Sequence, residues 1–193
     1  MRSHIPPSLR LLAVLATSLA LSQIPTSRPS PVAAANETVA ACPSLTPPGD
    51  PSVPPPYVKI TFVNECGEPV SLAVDIAATA ADQERGLMEV SDLPPDQGEL
   101  FAFQNLAGGS EVVVGFWMED TLIPLSIAFI GANDEVHEIQ DMQAESTNIH
   151  LPRAPYLYAV EANLGWFTRH EIIPGATVDL SPAVAQLGAS TAP

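Results

Sequence analysis

From Ile123 onward every second residue (Ile123, Leu125, Ile127, Phe129) is a large hydrophobe, and the intervening Pro124, Ser126, Ala128 and Ile130 are small or apolar too. A strand with so few polar demands on either side belongs inside a sheet covered on both faces. The approach to it is different in character. Phe116-Trp117-Met118 runs straight into Glu119-Asp120-Thr121, so this core strand is entered through a polar corner.

The same pattern repeats in shorter runs on both sides. Composition and alternation predict strands over 57–63, 70–76, 99–103, 111–118, 135–142, 156–161 and 177–180, separated by turn chemistry such as Asn64-Glu-Cys-Gly67 and Gly131-Ala-Asn-Asp134. Thr79 reads as the N-cap of a helical segment over 80–88, with acids in its first turns. Residues 165–170 read as one further helical turn, and 143–155 as a polar loop. The small, apolar run from Ser181, residues 182–193 above all, reads as a frayed tail. Short strands at regular spacing with one or two short helices predict a mainly β domain, a single jelly-roll-like sandwich or barrel.

Length and charge set the outer limits. A chain of 193 residues accommodates one ordinary domain with tails. Arg2 and Arg10 precede the apolar run 11–21, which is too short to span a bilayer and reads as an export signal over 1–22, with cleavage as late as 35 also compatible. Residues 23–56 are proline-rich and read as an extended linker leading to a domain over 57–181. Nothing beyond the signal resembles a membrane span, so the expectation is an exported protein, periplasmic or extracellular. From Asn36 on, four basic residues (Lys59, Arg85, Arg153, Arg169) face all 22 acids, a balance of 4 − 22 = −18. Such a field argues against nucleic acid and anionic lipid as partners.

Two cysteines, Cys42 and Cys66, occur in a chain bound for an oxidising compartment. They are a candidate disulfide pair that would pin the linker to the domain; two separate thiols are the alternative. His137, His150 and His170 lack any close metal spacing, and there is no phosphate loop, nucleophile elbow or dinucleotide fingerprint. No metal and no cofactor are therefore expected.

Four motifs in order, Glu84-Arg85-Gly86-Leu87-Met88, Leu93-Pro-Pro-Asp96 with Gly98-Glu-Leu-Phe101, Phe116-Trp-Met118 with Thr121-Leu-Ile-Pro-Leu125, and Val160-Glu161 with Gly165, resemble the DUF192 (UPF0127) family across about 57–180. The resemblance implies a compact β-rich, jelly-roll-like domain, often behind an export signal, and implies no activity. The chain departs from the usual family pattern at Asp120 (Asn), Ser126 (Asp), Val90 (Arg) and Gly175-Ala176 (Gly-Asp). Several polar members of any shared site are thus altered here.

Candidate site residues gather at the corner. Arg85 is either a carboxylate or anion clamp or a structural ion-pair partner of Asp120 or Glu161. Arg85, Trp117, Met118, Asp120 and Thr121 form the candidate binding set for a small molecule, a glycan or an envelope protein. Trp117, Tyr156, Tyr158 and Trp166 supply aromatic surface for either a sugar platform or the core. The leading expectation is a binding domain without catalysis. The alternative is a carboxylate-dependent hydrolase of envelope polysaccharide, with Asp120 and Glu161 as acid and base.

Overall fold

The computed structural model describes residues 57–103 and 110–190. The signal-like N-terminus, the proline-rich segment and Cys42, and with them any Cys42–Cys66 pairing, lie outside the described residues. In chain order the elements are β1 (Val58–Val63), β2 (Pro69–Ala77), α1 (Ala80–Arg85), β3 (Gln97–Ala102), β4 (Leu125–Ile130), β5 (Val136–Met142), β6 (Tyr158–Asn163), α2 (Trp166–Arg169), β7 (Val178–Asp179) and α3 (Ser181–Ser190). The domain is mainly β.

The seven strands form one sheet in the order β5-β4-β6-β3-β2-β1-β7. All pairings are antiparallel except β2 with β3. A parallel pair needs a crossover, and α1 lies in it. Its start is held by a capping box between Thr79 and Asp82, and its Gln83 side chain donates to the carbonyls of Ala77 and Ala102 at the ends of both strands. The sheet curls until its edges meet: Glu135 bridges Thr177, and Val136 N–H donates to Ala176 O at 2.9 Å. Closure of this kind protects edge strands from outside pairing.

Period-two alternation sorts the side chains into two cores. Leu72, Val74, Leu100, Ala128, Ile130, Val160 and Ala162 point to the inner face, where Trp166 and Phe167 of α2 also pack. Phe101, Leu125, Ile127, Phe129 and Ala159 point to the outer face, with Phe103, Met118 and Tyr156. Every residue of β4 is buried, as its two-sided pattern requires.

Much of the family pattern is explained by bracing. Asp96 accepts from Trp166 Nε1 at 3.1 Å, and Asn163 Nδ2 donates to the carbonyls of Leu93 and Pro94, so the Leu-Pro-Pro-Asp loop is tied to β6 and α2. Ser126 donates to Asp141 on β5 and accepts from Gly165 N–H at 2.8 Å. Asp120 adopts φ 55°, a left-handed conformation that Asn and Asp both tolerate, so the Asn-to-Asp departure keeps the turn.

Two expectations are corrected. Residues 111–118 are not a strand; only Val112 and Phe116 make isolated bridges, to Tyr156 and His150. β4 is already paired on both sides by β5 and β6, so the segment finds no free ladder and instead covers the outer face. Residues 181–190 are not frayed: they form α3, because Ala183 and Leu187 fall on one side of a helix and are buried in the inner core.

At Gly98 an added Cβ would collide with the carbonyl oxygen of Glu161 across the β3–β6 ladder and press on Leu72. Gly98→Ala is therefore expected to destabilise the domain by about 1–3 kcal/mol, read as a lowered urea midpoint with unchanged m-value.

Candidate functional site

The outer face carries three acids in a row. Asp75 on β2 is in register with Glu99 on β3, and Glu99 is directly opposite Glu161 on β6. Directly opposite side chains on an antiparallel pair sit about 5 Å apart at Cβ. Asp75 is exposed, but Glu99 and Glu161 are only 7% and 4% exposed. Their position on an otherwise apolar face follows from alternation: Glu99 is in phase with Phe101 and Phe103, and Glu161 with Ala159.

Two clefts meet at this pair. The first, of about 460 Å³, has walls of Phe101, Phe103, Val112, Phe116 and Trp117, a rim from α1 that includes Arg85, and Thr121 and Glu161 also in its lining. The second, of about 340 Å³, is lined by Asp75, Asp82, Val90 and Glu99. Arg85, Gly86 and Leu87 border both. Gly86, at φ +48°, lets the end of α1 lie close on the sheet; a Cβ there would stand 3.2 Å from the Phe101 ring and 3.8 Å from Glu99 Oε2.

The cover over the first cleft is held by backbone and rings. Phe116 exchanges two backbone hydrogen bonds with His150, and Tyr156 Oη donates to Val114 O at 2.9 Å. The Phe116 ring stands edge-on to Phe101 at 4.9 Å and to Phe129 at 5.8 Å between centroids. Trp117, 45% exposed, remains at the open side.

The acids are poorly compensated. Glu99 Oε2 is buried without a hydrogen-bond partner, and no hydrogen bond reaches the Glu161 carboxyl among the described residues. Burial, with the neighbouring Asp75 charge added, raises Glu99 to about 7, even though Arg85 opposes the shift. Burial and the Glu99 charge raise Glu161 to about 8. Two such carboxyls cannot both ionise cheaply, so the pair holds protons near neutrality.

The corner residues are distributed differently from the set read in the sequence. Arg85, Trp117 and Thr121 line the first cleft together with Glu161, whereas Met118 is fully buried in the outer core. Asp120 is exposed on its left-handed turn, outside the cleft lining, where its carbonyl accepts from Glu89 N–H. Arg85 is exposed and, among the described residues, forms no ion pair with Asp120 or Glu161. Tyr156, Tyr158 and Trp166 are core residues. Glu99, absent from the sequence-derived set, takes the place opposite Glu161; a charge in phase with Phe101 and Phe103 was the available signal.

A curled sheet with a lateral cleft that reaches the buried Glu161 defines a β-domain with a candidate site. The chain belongs to the DUF192 family, a group described only as uncharacterised, whose model matches residues 61–180. It is similar to a crystal structure of a Sinorhizobium meliloti 1021 protein provisionally named a transcription regulator, with 28% identity and a TM-score of 0.59 over 64% of this chain and 94% of that one. It is similar too to a protein of unknown function from Novosphingobium aromaticivorans DSM 12444, at 28% identity and TM-score 0.59, covering 64% and 84% of the two chains. No curated protein matches the chain.

Because both glutamates bind protons more tightly when folded, the stability they permit is fully present below about pH 4.5 and is lost as pH rises through about 7 to 8. Urea unfolding is expected to show a fall on the order of a few kcal/mol between pH 5 and pH 9. Glu161→Gln should shrink that fall and be more stable than the parent at pH 9; an unchanged pH dependence would show that the pair is not the cause.

Proposed function

We propose that this domain is a binding protein for a small molecule, working outside the cytoplasm, with the cleft between α1, the 111–118 segment and the sheet as its site. The single observation behind this reading is a cleft of about 460 Å³, walled by aromatic and aliphatic side chains, that carries at Glu161 a buried carboxyl with no partner among the described residues. Small-molecule sites commonly have this size and this mix of apolar walls with few polar groups. The signal-like N-terminus supports export. The excess of acids supports a small ligand over nucleic acid.

The hydrolase reading draws less support. Acid and base work on a glycoside needs two carboxyls open to one substrate. Among the described residues Glu161 shares this cleft with the exposed Glu84 of α1, whereas Glu99 borders the other one with a buried oxygen, and Asp120, the acid that this reading pairs with Glu161, borders neither.

A thermal-shift screen of neutral, anionic and cationic apolar compounds on the full chain tests the proposal. A true ligand at about 100 times its Kd should raise Tm by several degrees. Val112→Trp, which fills the cleft from its wall, should abolish that shift while the circular dichroism spectrum stays that of the parent. Shifts that survive the filled cleft would place the binding elsewhere and defeat the reading.

A further inference from the structure

Resting on the small-molecule reading, we infer that the cleft is built for an organic amine, with its ammonium on the Glu161 carboxyl and its apolar body between Phe116, Phe101 and Trp117. The cleft supplies every part of such a receptor except the cation. Glu161 is 4% exposed, lines the cleft and has no hydrogen-bond partner among the described residues, so its acceptor capacity there is unspent and open to the ligand space. Glu99 stands directly behind it across the β3–β6 ladder and adds negative field without entering the cleft lining. Leaving buried acceptors unpaired is costly, and a charged donor with three hydrogens is a direct complement to an ionised carboxylate. The aromatic walls favour the same charge, because ring faces attract a cation that has been stripped of water. A metal ion fits less well: among the described residues no group of three or more His, Cys, Asp or Glu side chains is placed to hold one.

The ammonium competes with protons for the pair. Glu161 faces Glu99 on β3 and the uncharged Ile127 on β4; Glu99 in turn is influenced by Asp75 on β2 and by Asp82 and Arg85 on α1. Of the other cleft-lining residues, Glu84 and Arg85 on α1 carry opposite charges and are exposed at the rim, and Phe116, Trp117 and Thr121 carry none. Burial of the glutamates moves their titration up towards and past neutrality, so amine affinity should climb as pH rises from about 6 to about 9 and the cleft floor gains charge.

The test is isothermal titration calorimetry of the full chain at about pH 8.5 with a matched set: 2-phenylethylamine, 2-phenylethanol and phenylacetate. Expected is binding of the amine about 10-fold or more tighter than the alcohol, and little or none of the acid. Glu161→Gln, which removes the charge and retains the shape, should cut amine affinity by about 10-fold or more and leave the alcohol unchanged. Glu99→Gln should cause a smaller loss. Val112→Trp should remove all binding, which separates the cleft from general attraction of cations to an acidic surface. Alcohol bound as tightly as amine, or amine affinity indifferent to Glu161→Gln, would overturn the amine assignment while the cleft reading stands. No member of the set binding, or binding that survives Val112→Trp, would overturn both.

Discussion

The middle of the sheet has no wet face. β4 is buried along its whole length and β6 along nearly all of it, so both sides must be covered by protein. On the inner side the demand is met by curvature: the sheet wraps its own hydrophobes, its edges meet near Glu135 and Thr177, and α2 and α3 pack into what remains. On the outer side there is no second sheet. The cover is assembled from α1, the 111–118 segment and their linking turns, held by Phe116 among four other rings and by the Gln83 amide. A patchwork cover leaves gaps, and the larger of the two clefts beside the glutamates is such a gap. Site and fold thus have a common origin in two-sided burial.

Beside that gap the two glutamates run against the usual rule that buried charges are paired. Replacing them by apolar residues would be expected to help the fold, so their presence on the outer face is a cost the domain carries. Strongly perturbed carboxyls beside a cleft mark a candidate functional site. The contrast with Asp96 and Asp141 is instructive, since each of these acids meets a donor from a neighbouring element and serves as a brace. The family pattern therefore mixes two kinds of residue: those that tie loops to the sheet, and Glu99 with Glu161, which tie nothing.

Glu161 entered the sequence reading as the candidate second carboxylate and a candidate partner of Arg85, and Arg85, Trp117 and Thr121 entered it as members of the polar corner. Asp120 misled because acids at corners read as available chemistry, whereas a left-handed turn needs Asn or Asp for its backbone alone. Residues 111–118 misled for a related reason. Their alternation of Val112, Val114, Phe116 and Met118 suits a strand, yet alternation describes which side is buried and says nothing about whether a free edge exists to pair with.

What the sequence by itself determined is local: the period-two runs, the Thr79 capping box, the turn positions and the number of faces each strand must bury. These depend on neighbours a few residues apart, where spacing translates directly into direction. What only the tertiary structure decided is the company each residue keeps. Glu99 and Glu161 are far apart in the chain and meet because β3, parallel to β2 after the α1 crossover, lies beside β6 in one register. Strand order and register are set by the summed burial of the whole sheet, and a shift of one residue would send the two carboxyls to opposite faces. That is why the pair between the two clefts was invisible in the chain and plain in the fold.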